Sequence, residues 1–133
     1  MDTKHEWRVF VAPQPLLSTE KSGVRVTAIS QYSWHRVVSA PLEHHEATMI
    51  LGAANKILYD IMENPHPNQA ALIKQGFVFD FVLQPPYNLD PILVELNTFG
   101  SRSGCGSGLF HWLRDHDQLY GQKAEVLLRV LVD

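Results

Sequence analysis

Across residues 39–64 the apolar positions recur with a helical period: Ala47, Ile50, Leu51, Ala54, Ile57, Leu58 and Ile61 fall on one stripe. Pro41 suits the first turn, Glu43 and Glu46 stand at the positive end of the helix dipole, and NPHPN (residues 64–68) stops the helix. A single stripe of this kind must be buried against something. The runs on either side of it have period two, so that partner is a β-sheet.

Residues 6–12 (EWRVFVA) alternate, with Trp7, Val9 and Val11 on one side and Arg8 and Phe10 on the other, as a half-buried strand does. Residues 24–31 read as a second strand, with Val24, Val26, Ala28 and Ser30 on one face and Arg25, Thr27, Ile29 and Gln31 on the other. The polar, turn-rich residues 13–23 between them predict an antiparallel hairpin with a long loop. Beyond the helix come two apolar runs expected to be buried strands, FVFDF (77–81) and ILVELN (92–97), joined by the turn chemistry of QPPYNLDP (84–91). The glycine-rich GSRSGCGSG (100–108), a short helix LFHWLRD (109–115) and a last strand EVLLRVLV (125–132) complete the chain. The order ββαββαβ predicts an α+β domain with a largely antiparallel sheet covered by helices.

At 133 residues the chain is the size of one domain, spanning residues 1–133 as a single unit. A formal net charge of -3 offers no basic field for nucleic acid or anionic lipid. No charge-free stretch approaches the roughly 20 apolar residues that cross a bilayer. The polar start MDTKHEWR lacks the apolar core of a signal peptide, and Cys105, the only cysteine, excludes an internal disulfide. Both features are those expected of a cytoplasmic protein.

Each of the two apolar runs carries a carboxylate near its middle. If they pair as a hairpin centred between Tyr87 and Asn88, Asp80 lies directly opposite Glu95, where side chains have Cβ atoms about 4.5 to 5.5 Å apart and like charges are destabilising. Asn97, two residues beyond Glu95, shares that face. An all-oxygen set without cysteine or histidine suits Mg²⁺ or Mn²⁺ rather than zinc, with phosphate and water completing the shell. The competing accounts are that one acid faces solvent, that the pair shares a proton, or that it meets an arginine. Everything depends on register, because a slip of one residue sends the side chains to opposite faces.

The ordered set EWRVFVA, TAISQY, FVFDF and LVELNTFG followed by LFHW resembles the C-terminal half of ATP-grasp proteins, and most of all the cell division cycle protein 123 family. The matching residues are Glu6, Trp7, Arg8, Phe10 and Val11, then Ile29, Ser30 and Gln31, then Asp80, then Glu95 and Asn97, then Leu109, Phe110 and Trp112. The resemblance implies an ATP-grasp C-terminal subdomain in which Asp80, Glu95 and Asn97 bind the metal ions of Mg-ATP. It also implies that Arg8 and Gln31 lie in the nucleotide cleft near the phosphates, a role suited to the planar guanidinium of Arg8. Arg8 is open to a second reading from its position alone, as a strand arginine paired with Glu6 or Asp80. That family carries aspartate where this chain has Glu95, whereas ATP-grasp ligases often have glutamate. The resemblance therefore implies either an ATP-dependent assembly chaperone for translation initiation factor two, with its gamma subunit as partner, or a carboxylate–amine ligase forming an acyl-phosphate. A third expectation is a truncated relative without ATP binding of its own. The other wall of an ATP-grasp cleft, with its phosphate-binding lysine, has no counterpart in these residues, and a second chain would supply it.

GSRSGCGSG has no Lys-Ser/Thr for a P-loop and fails the spacings of the dinucleotide fingerprint and of the nucleophile elbow. A turn capping the next helix accounts for it, although its backbone N–H groups together with Arg102 would complete a phosphate site. HHEAT (44–48) has Met49 where a zinc-protease helix needs its second histidine, and reads as a solvated helix start. Trp112 and the stripe Phe77, Phe79, Phe81 read as packing residues.

Overall fold

The computed structural model describes residues 5–13, 24–32, 42–63, 74–87, 89–100 and 108–130. Within them the elements are β1 (Glu6–Val11), β2 (Val26–Gln31), α1 (His44–Glu63), β3 (Phe77–Val82), β4 (Ile92–Thr98), α2 (His116–Leu119) and β5 (Leu127–Arg129). The five strands form one open sheet in the order β4-β3-β1-β2-β5. β1 pairs antiparallel with both β2 and β3, β3 antiparallel with β4, and β2 parallel with β5. The domain is α+β with a mostly antiparallel sheet, as the alternation of periods predicts. No helix among the described residues is long and apolar enough to cross a membrane.

α1 begins where its sequence says it should. Glu46 accepts a hydrogen bond from the Glu43 backbone N–H (3.0 Å), which is half of a capping box. Ile50, Ala54, Ile57 and Leu58 of the predicted stripe are buried, joined by Ala53, and Leu51 and Ile61 pack partly against them. They cover Trp7, Val9, Val11, Ile29 and the phenylalanine stripe of β3. The opposite face of the sheet holds a second cluster, in which Phe10, Ala28 and Val78 meet Phe110, Trp112 and Leu119 from the C-terminal segment. β1 is therefore buried on both faces rather than half-buried, because it is the middle strand of five.

The strand β4 departs from expectation. Its apolar sequence predicts burial, yet it is the outer strand, and Ile92, Leu93, Val94 and Leu96 are all exposed by 41% or more. Apolar composition reports what a strand can bury and not how many neighbours it has.

Two bulges interrupt the alternation. Phe10 pairs with Ala28 but Val11 with Val26, so Thr27 is an extra residue in β2 and Val26 turns to the α1 side, away from Ala28. Thr27 donates its hydroxyl to the Leu119 carbonyl (2.8 Å), and its own carbonyl accepts from Gln118 (2.7 Å), tying α2 to the bulge. In β4, Glu95 faces Asp80 and Leu93 faces Phe81, leaving Val94 as the extra residue.

The helix predicted over residues 109–115 does not form; turns fill residues 112–115 and the helix that follows is the four-residue α2. The cause is local competition for backbone donors. His111 Nδ1 accepts from the N–H groups of Leu113 (3.2 Å) and Arg114 (3.1 Å), and the Asp115 carboxylate accepts from His111 N–H (2.9 Å). β5 is likewise shorter than its apolar run, three residues instead of eight, with residues 131–133 outside the described residues.

Candidate functional site

Three strands bring the charged residues together. In the β1–β3 ladder Arg8 stands opposite Asp80, and in the β3–β4 ladder Asp80 stands opposite Glu95, the register that the hairpin arithmetic predicts. Asn97 pairs with Val78, two residues from Asp80, and so shares the face. Glu6, two residues before Arg8, lies on it too. Arg8, Asp80, Glu95 and Asn97 thus share the face of the sheet that also carries Phe10 and Val78 of the aromatic cluster.

Arg8 answers one of the questions that spacing leaves open. Its Nε donates to Asp80 Oδ1 at 2.8 Å and its Nη2 to Asp80 Oδ2 at 2.9 Å, a two-pronged contact in which Asp80 is 1% exposed and Arg8 8%. The Tyr32 ring lies 4.9 Å from the guanidinium carbon. Asp80 therefore meets an arginine, and both of its oxygens are engaged.

Glu6 is the acid that sequence reasoning passes over as a site residue. It is 7% exposed, with Asp80, Arg8 and Glu95 as its charged neighbours. Burial, foremost, and then the neighbouring Asp80 push its carboxyl above the ordinary range; Arg8 opposes this and Glu95 adds to it. Three carboxylates thus gather about one guanidinium. The signal in the sequence is the E-x-R spacing, which puts Glu6 and Arg8 on one side of a strand.

The remaining predicted residues separate. Gln31 is fully buried but pairs with Trp7, which packs under α1, so it lies across the sheet from Arg8 and the two do not share a cleft. One step along a strand reverses the face. Arg102 lies outside the described residues, as does Cys105. The end of the glycine-rich stretch nevertheless abuts the charged row. Leu109 N–H donates to Ser30 Oγ (2.8 Å), Ser30 pairs with Arg8, and Gly108, at φ 62°, sits where a β-carbon would collide with the Ser30 side chain. His44 and His45 are exposed at the start of α1, as expected of a solvated helix end.

The donor chemistry of Asp80, Glu95 and Asn97 suits a hard divalent cation, and Glu6 adds a further carboxyl group beside it. The arrangement as it stands does not hold one: Asp80 is fully engaged by Arg8, and among the described residues no group of three acidic, histidine or cysteine side chains is placed to ligate a metal. Compared with protein-family models, with curated proteins and with solved structures, the chain shows no significant match.

Proposed function

We propose that this face is one wall of a Mg-ATP site of the ATP-grasp kind, in a chain similar to the cell division cycle protein 123 family. The observation that carries the reading is the shared face of Asp80, Glu95 and Asn97 with an arginine among them. Glu95, Asn97 and, once released by Arg8, Asp80 would hold the magnesium ion. The bound ion would neutralise phosphate charge there. By the same resemblance the protein partner is the gamma subunit of translation initiation factor two, and the opposite wall of the cleft comes from outside these residues. Good small-molecule sites bury about 70 to 90% of a ligand, so ATP binding to this wall by itself is weak.

Calorimetry with Mg-ATP tests the reading. Binding in the micromolar to millimolar range is expected, with a loss of tenfold or more in Glu95→Gln; equal affinity in that variant and in Asp80→Asn would remove the site. A second reading is favoured by the Arg8–Asp80 contact itself, which completes the hydrogen bonding of both side chains' facing edges without any ligand. On it the pair only fixes β1 against β3, and no nucleotide binds at any concentration tested.

A further inference from the structure

The chain carries a formal net charge of -3, yet one hollow in it is lined by more permanent cations than acids. It is an open cleft of about 440 Å³ between residues 113–118 and the stretch from Lys123 to Arg129, at the β5 edge of the sheet and so across it from β4. We propose that this cleft binds a small phosphate monoester, its phosphate held between Arg114 and Lys123. The inference is independent of the nucleotide reading above, since the two places share no residue.

The walls are tied in place by side chains. Arg129 of β5 donates to both oxygens of Asp115, at 3.0 and 3.1 Å, which joins one wall to the other. Arg25 Nη2 donates to the carbonyls of Gly121 (2.7 Å) and Lys123 (2.6 Å), and Gln118 Nε2 to those of Thr27 and Glu125 (2.7 Å each). Backbone already held in this way loses little freedom when a ligand arrives. The charges, by contrast, do not balance. Asp115 is engaged by Arg129, and Asp117 has His116 3.5 Å away. Arg114 and Lys123 remain, one on each wall, and neither side chain pairs with an acid among the described residues. A doubly negative guest matches two such cations. A phosphate monoester carries about -1.5 to -2 charges at neutral pH and three acceptor oxygens on one centre, enough to meet a guanidinium from one side and an ammonium from the other. A single carboxylate leaves one cation unmet. The cleft lies within the roughly 300 to 1,000 Å³ of small-ligand sites and exceeds what phosphate alone fills, and Leu113 and Leu127, 73% and 38% exposed, give the organic part apolar surface.

Phenyl phosphate is the probe, titrated into the isotope-labelled whole chain at constant ionic strength and followed by amide chemical shifts. Saturable binding with a Kd on the order of a millimolar is expected, with the largest shifts in residues 113–118 and 123–129. Inorganic phosphate should bind more weakly, and benzoate, which keeps the ring but has one charge, about tenfold more weakly. Arg114→Gln and Lys123→Gln should each weaken phenyl phosphate about tenfold, and the double change should abolish binding. Both residues are exposed, so the fold is expected to survive either change. Shifts that never saturate, shifts that map to other residues, or unchanged affinity in the double variant would each overturn the proposal. So would inorganic phosphate binding as tightly as phenyl phosphate, which removes the organic part. Should a variant fail to fold, the wild type decides: benzoate binding as tightly as phenyl phosphate rules out a site for a dianion.

Discussion

Among the described residues two arginine–aspartate forks stand out, and they are built alike up to a point. Arg8 grips Asp80 at 2.8 and 2.9 Å with Tyr32 4.9 Å away; Arg129 grips Asp115 at 3.0 and 3.1 Å with its guanidinium carbon 4.4 Å from the centre of the Phe110 ring. Their surroundings differ. The side chains of the first pair are 10% and 1% exposed, those of the second 37% and 19%. Around Arg129 the polar groups are matched: its Nη1 also reaches the Leu109 carbonyl, and Asp115 also accepts from His111 N–H. Around Arg8 three carboxylates gather, Asp80 in the fork and Glu6 and Glu95 beside it. A matched fork closes a turn. The other fork is buried among further carboxylates, and this contrast, rather than the presence of an ion pair, marks the β1–β3–β4 face as the candidate site.

The largest effect expected is from Asp80→Ala, which strands a buried guanidinium and should cost about 3 to 5 kcal/mol in denaturant unfolding. The double change Arg8→Met with Asp80→Leu should recover most of that, because two apolar groups leave no charge uncompensated. If Asp80→Ala costs no more than Asp115→Ala, burial does not distinguish the forks.

Asp115→Ala should cost about 1 to 2 kcal/mol, discounted for the half-exposed arginine. Its pH signature is specific. Burial raises the Asp115 carboxyl, but the Arg129 hydrogen bond, the His111 backbone N–H and the charges of both residues outweigh it, and the net shift is below 3.8. The folded state therefore binds this proton less readily than the unfolded chain does. The stability it contributes is present above pH 3.8 and is lost as the pH falls through the lower folded value.

Glu6 should show the opposite slope. Its carboxyl is raised above 4.5, so its favourable contribution is present below pH 4.5 and is lost as the pH rises through the folded value. Glu6→Gln should stabilise the domain by about 1 kcal/mol at neutral pH, with the gain vanishing in acid; a melting temperature that drops at pH 7 would mean that a partner holds Glu6 as the carboxylate. At the bottom of the scale is Lys56→Ala. The Lys56–Asp90 contact at 2.9 Å is wholly on the surface, and its loss should leave the melting temperature unchanged within error.

Much of this was legible in the chain, for identifiable reasons. The stripe on α1 and the period of the flanking runs give the order ββαββ of the first five elements, because period is a local property. The Asp80–Glu95 pairing is the one that the hairpin arithmetic assumes, but the pairs nearer the turn, Phe81 with Leu93 and Val82 with Ile92, are one residue off it, so the bulge at Val94 and not the turn alone sets that pairing. The bulges at Thr27 and Val94 were not legible, since an extra residue arises from how a twisted strand meets its partner. Nor was the loss of the helix at residues 109–115, where His111 and Asp115 take the backbone donors that helix propensity would assign to carbonyls.

The sequence by itself determined where the strands and the long helix lie, and that Glu95 and Asn97 share one side of their strand, because side-chain period acts over a few residues. Tertiary structure alone decided that β1 lies between β2 and β3, that Arg8 therefore closes on Asp80 rather than Glu6, and that β4 stands exposed at the edge. Those outcomes depend on which distant strands become neighbours. Strand adjacency is set by the burial of the whole sheet against α1 and the C-terminal segment, and no short stretch of chain encodes it.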